Sequence, residues 1–190
     1  MISPRAVVEF WFSDRAMPLW FERDRAFDED IRERFGAAVH AAQMGGMEEW
    51  RATPEGTLAL LILLDQMGRN IHRGEAKAFL GDSRALAVAR DAIAKGFDRQ
   101  FGFQRRRFIY LPFEHSEAMD DQDLAVRLFT DLIDDCAPED RADAETQLDY
   151  VHRHRVIIKR FGRYPHRNAA LGRETTEAEA EFLKGPNSSF

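Results

Sequence analysis

Cysteine is nearly absent from this 190-residue sequence, which contains only Cys136. One cysteine cannot form an internal disulfide or build a cysteine-rich zinc site, so the chain alone can have neither. A protein without disulfides fits the cytoplasm, and we expect that location. The apolar spacing around Cys136 predicts a buried helix residue rather than a nucleophile.

Long apolar runs and strand patterns are also missing. No stretch approaches the roughly 18 apolar residues of a membrane span, and Glu9 interrupts the short apolar run near the N-terminus, so we expect neither a membrane helix nor a signal peptide. No segment shows the alternation of apolar and polar residues that is typical of a half-buried strand. Helices are the remaining regular structure.

Several chemical motifs do not occur. The sequence has no glycine-rich phosphate loop, no Gly-x-Ser-x-Gly elbow, no His-Glu-x-x-His and no paired Glu-x-x-His. We therefore predict no metal site and no cofactor. The net charge of -6 disfavours nucleic acid as a partner.

Helix signals are present along the whole chain. Ser3 and Thr53 each precede a proline, the favoured pair of N-cap and first helical residue. Asp82 is an expected N-cap too, as is Asp121 or a neighbouring acid, and Thr176 with Glu179 fits a capping box.

The short connections between these helices indicate antiparallel neighbours. We predict an all-α fold with a single domain of about eight to ten helices over residues 1–184, arranged either as an irregular bundle or as stacked antiparallel helical hairpins. A flexible tail is expected over residues 185–190.

Acidic residues are missing from one region of this acidic chain. Between Tyr150 and Arg173 there is no Asp or Glu, whereas seven Arg or Lys and three His occur. The segment "RFGRYPHRN", residues 160–168, shares the pattern apolar-Gly-Arg-x-x-His-Arg with "MGRNIHR", residues 67–73. Helix C-capping needs fewer cations than these. The excess indicates either an anion site, since arginine grips carboxylate and phosphate, or an internal ion-pair network.

A second polar cluster lies in "YLPFEHSE", residues 110–117. Glu114 and Glu117 are three residues apart and could share a helical face. Carboxylates beside His115 could act as acid and base groups, or could pair with the arginines.

These segments resemble the bacterial family catalogued as domain of unknown function 924. The resemblance covers residues 7–183 and includes "LILLDQMGRNIHRG", "FIYLPFEHSE" and "RFGRYPHRNAALGRETTEAEAEFL". It implies a single all-α domain with a tetratricopeptide-like arrangement, and it implies no activity. The sequence departs from the family pattern at Met67-Gly68, where Phe-Pro is common, and at Tyr164, where Phe is common.

The resemblance also marks individual positions. The first motif contributes Asp65, Gln66, Arg69, Asn70 and Arg73; the second contributes Glu114, His115 and Glu117; the third contributes His154, Arg163, His166, Arg167 and Asn168. We predict that the three motifs converge on one polar site. Glu114, His115 and His166 are the candidate catalytic residues there, and the others are candidate ligand-binding residues.

Three functions remain open at the level of sequence. The first is binding of a small anionic ligand or an acidic peptide group in the arginine-rich site. The second is an enzyme, a hydrolase or transferase, with Glu114 or His115 as acid/base and the arginines stabilising charge. The third is a scaffold whose motifs serve folding only. Homo-oligomerisation is left open.

Overall fold

The computed structural model describes residues 2–186 and residue 188, and regular structure in this part of the chain is helical, without strands. The all-α prediction is confirmed. Backbone contacts divide the chain into two compact units, Met1–Arg73 with Lys77–Pro112, and Gly74–Ala76 with Phe113–Phe190. Each unit is described by itself, and the single domain over residues 1–184 and its tetratricopeptide-like arrangement stay predictions.

The first unit contains five complete helices and most of a sixth. They are α1 (Pro4–Trp11), α2 (Arg25–Gln43), α3 (Pro54–Leu61), α4 (Gly68–Ile71), α5 (Asp82–Ala94) and α6 (Phe103–Glu114), which passes through Pro112 into the second unit. A π-helical turn, Ile62–Met67, joins α3 to α4 without a break. The Gly68 amide donates a hydrogen bond to the Leu63 carbonyl, five residues earlier. Such turns are rare and often lie at functional sites.

Two of the predicted N-caps in this unit are confirmed and one is wrong. The Ser3 and Thr53 hydroxyls accept hydrogen bonds from the amides of Ala6 and Gly56, at 3.2 and 3.1 Å. Asp82 does not cap α5, because the N-cap residue is Gly81. The Asp82 carboxylate forms an ion pair with Arg69 instead, at 3.1 Å.

Apolar side chains of α1, α2 and α3 form the core of the first unit. Every residue of the apolar run Leu58–Leu64 has no exposed surface, which explains why this segment is apolar on all sides. The buried residues of α5 are Ala85, Val88, Ala89 and Ala92. These small side chains allow α5 to pack closely against α3.

The second unit contains α7 (Met119–Asp135), α8 (Arg141–Phe161) and α9 (Glu177–Leu183). Helices α7 and α8 pack against each other and are joined by a short connection, as a helical hairpin requires. The predicted cap Asp121 is wrong: the N-cap residue is Ala118, and buried Asp121 accepts a hydrogen bond from the Ser116 hydroxyl at 2.7 Å. Cys136 is half-buried and directly follows α7 rather than lying within it.

The end of the chain is described in part. The capping box predicted at Thr176 and Glu179 is confirmed. Within the predicted tail, residues 187, 189 and 190 lie outside the described residues, whereas the Ser188 hydroxyl donates to the Leu183 carbonyl at 3.1 Å. Over the described part of the chain, no helix combines the length and apolar character that crossing a bilayer demands.

Gly81 gives a test of packing beside the π-helical turn. A Cβ atom at Gly81 would lie 2.5 Å from the Leu64 carbonyl oxygen. We expect Gly81→Ala to lower the free energy of unfolding by about 1–3 kcal/mol, because overpacking forces the backbone to shift. Urea denaturation measures the difference.

Gly36→Ala in α2 is the control, because the nearest atom to its Cβ would be 4.0 Å away. It should be neutral or stabilising by up to about 1 kcal/mol. Equal effects of the two substitutions would contradict this account of Gly81.

Candidate functional site

The second and third motifs meet in the second unit around the buried side chain of Tyr164. Its hydroxyl donates a hydrogen bond to the Glu114 carbonyl at 2.5 Å and accepts one from the Gln122 amide nitrogen at 2.9 Å. Burial raises the pKa of Tyr164 well above its usual range, so the phenol stays protonated and remains a donor.

These hydrogen bonds form here because α6 ends at Glu114. The last carbonyls of a helix have no partner within the helix. The Gln122 amide nitrogen lies 2.7 Å from both the Glu114 and the Ser116 carbonyl oxygens. Gln122 and Tyr164, which lie on two other segments of the chain, therefore supply the hydrogen-bond donors that the last carbonyl group of α6 lacks.

The Glu114 carboxylate and the His154 ring form a buried pair. Glu114 Oε1 lies 2.9 Å from His154 Nδ1, which is also 2.8 Å from the Tyr150 carbonyl oxygen. Because a carbonyl oxygen only accepts, Nδ1 carries a proton. Gln147 donates to the other carboxylate oxygen of Glu114 at 3.3 Å. The pair therefore holds the His154 ring in a defined tautomer and orientation.

Two more histidines and an arginine complete the group. The His115 ring lies 6.2 Å from the His154 ring, and the His166 ring lies 5.5 Å from the Tyr164 ring, between centroids. The Arg167 guanidinium lies 4.4 Å from the centre of the Tyr164 ring, within cation–π range. We call these residues the Tyr164 cluster: Glu114, His115, His154, Tyr164, His166 and Arg167.

Glu117 of the second motif pairs with Arg173. The guanidinium donates two hydrogen bonds to the carboxylate, at 2.7 and 3.0 Å, and a third to the Tyr164 carbonyl at 3.0 Å. The Tyr164 amide donates to Glu117 at 2.8 Å. Burial alone would raise the pKa of Glu117, but these hydrogen bonds outweigh it, and the pKa is lowered. Glu117 is therefore charged and fixes the backbone at Tyr164.

Arg163 and Asn168 both contact Glu179. Arg163 donates two hydrogen bonds to this carboxylate, at 2.6 and 2.9 Å, and Asn168 donates one at 3.3 Å. The Arg163 hydrogen bond, followed by one from the Thr176 amide, lowers the pKa of Glu179 to about 2. The Glu179 carboxylate therefore has two roles. It completes the capping box of α9, and it offsets the charge of Arg163.

The first motif lies in the first unit, where Asp65 and Gln66 belong to the π-helical turn. Gln66 donates to the buried Asp65 carboxylate at 2.6 Å. Arg69 lies 3.1 Å from both Asp65 and Asp82, and it also donates to the Asp65 carbonyl. Burial lowers the pKa of Arg69, but the two carboxylates outweigh it, so the pKa is raised and the guanidinium stays charged.

The remaining residues of the first motif contact Asp28 on α2. Asn70 donates to this carboxylate at 2.7 Å, and Arg73 donates to it twice, at 2.6 and 3.0 Å. Arg73 also donates to the Glu22 carbonyl at 3.0 Å. The first motif therefore fixes the end of α4 to α2.

Sequence reasoning found most of these positions but missed their partners. Residues of the second and third motifs are in contact, and the convergence of all three motifs on one functional site stays a prediction. Gln122, Gln147 and Glu179 were not identified as site residues. Gln122 and Gln147 carried a signal, because each is a polar residue on the apolar face of its helix.

In the part of the chain that the structure describes, no group of three or more His, Cys, Asp or Glu side chains is arranged to hold a metal ion.

Two of three comparisons with known proteins found a match. The family model described as bacterial protein of unknown function (DUF924) matches residues 7–187. A solved structure, the protein of unknown function ATU0120 from Agrobacterium tumefaciens, is 37% identical, with a TM-score of 0.81 over 96% of this chain and 97% of that chain. The comparison with curated proteins gave no match.

The Tyr164 hydroxyl can be tested with Tyr164→Phe. We expect a loss of about 1 kcal/mol in the free energy of unfolding, because two buried hydrogen bonds are removed while Gln122 still donates to the Glu114 carbonyl. Tyr150→Phe on α8, where the side chain is 42% exposed, is the control and should change stability by less than about 0.5 kcal/mol. A Tyr164→Phe protein as stable as the wild type would show that the hydroxyl does not support the site.

Glu179 predicts a defined dependence of stability on pH. Because its pKa in the folded protein is about 2, below the usual 4.5, its stabilising effect is complete above pH 4.5 and is lost as the pH falls towards 2. Glu179→Gln should therefore melt below the wild type at pH 7, and the gap should narrow between pH 4.5 and 2. Thermal melts at several pH values measure it, with Glu177→Gln, on the exposed side of the same helical turn, as the control. A gap that does not change with pH would contradict the ion pair with Arg163.

Proposed function

Since the chain belongs to the bacterial protein family of unknown function DUF924, whose description assigns no activity, we propose a function from its geometry: the Tyr164 cluster binds the carboxylate or phosphate group of a small anionic ligand. The terminal or side-chain carboxylate of an acidic peptide has the same chemistry and falls within the proposal.

The observation that carries this proposal is the arrangement of cationic groups on one aromatic ring. Arg167 lies on the ring of Tyr164, and His166 lies beside it. His115 is next to His154, whose ring contacts Tyr164 edge-on at 5.6 Å. Arginine with histidine supplies several N–H donors and positive charge, which is what an anionic oxygen group requires.

Two arginines near Tyr164 in the chain are offset by carboxylates of the second unit. Glu179 offsets Arg163, and Glu117 offsets Arg173. Arg163 and Arg173 therefore belong to ion pairs within the protein, and we do not assign them to the ligand.

The half-buried positions of His115 and His166 suit a ligand that arrives from solvent. Arg167 is buried, and its stacking on Tyr164 fixes the guanidinium before a ligand arrives. Preorganised donors lower the entropy that binding costs. In this proposal Glu114 orients His154, and His154 in turn sets the position of His115.

An enzyme is the second candidate, and the Glu114–His154 pair favours it. A buried carboxylate that orients a histidine is a recurring arrangement in acid–base catalysis, and His115 or His166 could then exchange a proton with a bound substrate. Glu114, His115 and His166 remain the candidate catalytic residues. Turnover of a ligand identified by binding would distinguish an enzyme from a binding protein.

A purely structural role is the third reading, favoured for four arginines in particular. Arg69, Arg73, Arg163 and Arg173 each contact a carboxylate within the protein. We therefore assign Arg69 and Arg163 to the support of the fold. The assignment of Arg167 to the ligand rests on its stacking against the Tyr164 ring.

Calorimetric titration with inorganic phosphate, acetate and a short acidic peptide tests the proposal. We expect at least one of them to bind saturably to the wild type, and His166→Gln and Arg167→Gln to weaken that binding at least about tenfold, or about 1.4 kcal/mol. A saturating ligand should also raise the melting temperature, since a ligand at 100 times its Kd adds about 2.7 kcal/mol.

His152→Gln and Arg160→Gln are matched controls, because both residues are exposed on α8 and each replaces the same kind of side chain. They should leave binding unchanged. Thermal melts of all four variants separate lost binding from lost folding. Equal binding by the controls and the cluster variants would rule out the Tyr164 cluster as the site.

A further inference from the structure

A cleft lies in the first unit, apart from all three motifs. It is open to solvent, has a volume of about 320 Å³ and is lined by Ala6, Glu9, Phe10, Ser13, Arg15 and Arg34. Small-molecule sites begin at about this size. We call it the Arg15–Arg34 cleft.

The two arginines of this cleft converge on one carboxylate oxygen. Arg15 Nη2 lies 3.2 Å and Arg34 Nη1 lies 3.7 Å from Oδ2 of Asp30. This oxygen is buried and accepts no hydrogen bond from the described residues. Asp30 therefore acts as a counter-ion at a distance rather than as a hydrogen-bonded partner of either guanidinium.

Arg34 is held in place by aromatic side chains. Its guanidinium lies 4.3 Å from the centre of the Phe10 ring and 5.3 Å from that of Phe35. Within the described chain, neither Arg34 nor Arg15 donates a hydrogen bond, although each guanidinium carries five N–H groups. Stacking leaves the edge of the Arg34 guanidinium available for a planar or tetrahedral anion.

Positive charge is concentrated at the two arginines of the cleft. Glu9 is paired with Arg5 at 2.6 Å. Arg15 and Arg34 share the single carboxylate of Asp30, so two guanidiniums face one negative charge. Phe10 and Ala6 supply apolar surface beside this positive charge.

We propose that the Arg15–Arg34 cleft binds a small organic anion, with its phosphate or carboxylate group between the two guanidiniums and its apolar part against Phe10. Asp30 competes with the ligand for the arginines. The site is independent of the Tyr164 cluster, because it is built from different residues and a different unit of the fold.

Titration with phenyl phosphate and with benzoate, followed by amide ¹H–¹⁵N spectra, tests this proposal and separates the two head groups. We expect saturable shifts at the backbone amides of Ser13 and Arg15 with at least one probe. Arg34→Gln should weaken that binding at least about tenfold. Asp30→Asn should tighten it severalfold, because the competing carboxylate is removed.

Arg25→Gln is the control, as Arg25 is exposed near the start of the same helix and does not line the cleft. The dispersion of each spectrum shows whether a variant is folded, and Arg15→Gln replaces Arg34→Gln if the latter is not. Wild-type shifts that do not saturate, that persist in Arg34→Gln, or that occur only at residues of the Tyr164 cluster would overturn the proposal. The last outcome would leave the proposed function of that cluster standing.

Discussion

The arrangement of the second unit depends on how the end of α6 is satisfied. The Glu114 carbonyl accepts from both Tyr164 and Gln122, at 2.5 and 2.7 Å. A buried carbonyl without a partner would cost about 1–3 kcal/mol, so this requirement strongly constrains where the two donors lie. Gln122 is on α7 and Tyr164 follows α8, so the end of one helix fixes two other segments. The positions of His154, His166 and Arg167 follow from that of Tyr164.

In the folded protein, carboxylates from other segments offset much of the positive charge between Tyr150 and Arg173. The arginines of this basic segment contact acids that the segment itself does not contain: Asp123 contacts Arg155, Glu117 contacts Arg173 and Glu179 contacts Arg163. A local gap in acidic residues therefore indicates ion pairing with distant elements as readily as it indicates a ligand. Our functional proposal therefore rests on the contacts of Arg167 and His166 with the Tyr164 ring rather than on the number of arginines.

The sequence predicted local features well and long-range partners poorly. The caps at Ser3, Thr53 and Thr176 depend on residues within a single turn, and they were correct. Asp82 and Asp121 carry the right chemistry for caps, but tertiary contacts with Arg69 and Ser116 recruit both carboxylates. The partner of Arg173 is 56 residues away in the chain, and no local pattern contains that information. Likewise, the π-helical turn resembles any buried helix in its composition.

The π-helical turn has a consequence for how this chain can change in length. Each residue of an α-helix advances the chain by about 100°, so the wider π turn sets the rotation at which α4 emerges. Deletion of one residue between Ile62 and Met67 could restore ordinary α-helical hydrogen bonding without breaking the helix. Because a π turn holds about one residue more than an α turn, α4 would keep its rotation, and Asn70 and Arg73 would still face Asp28, to which both donate hydrogen bonds. The segment should therefore accept the loss of one residue more readily than a regular buried α-helix would.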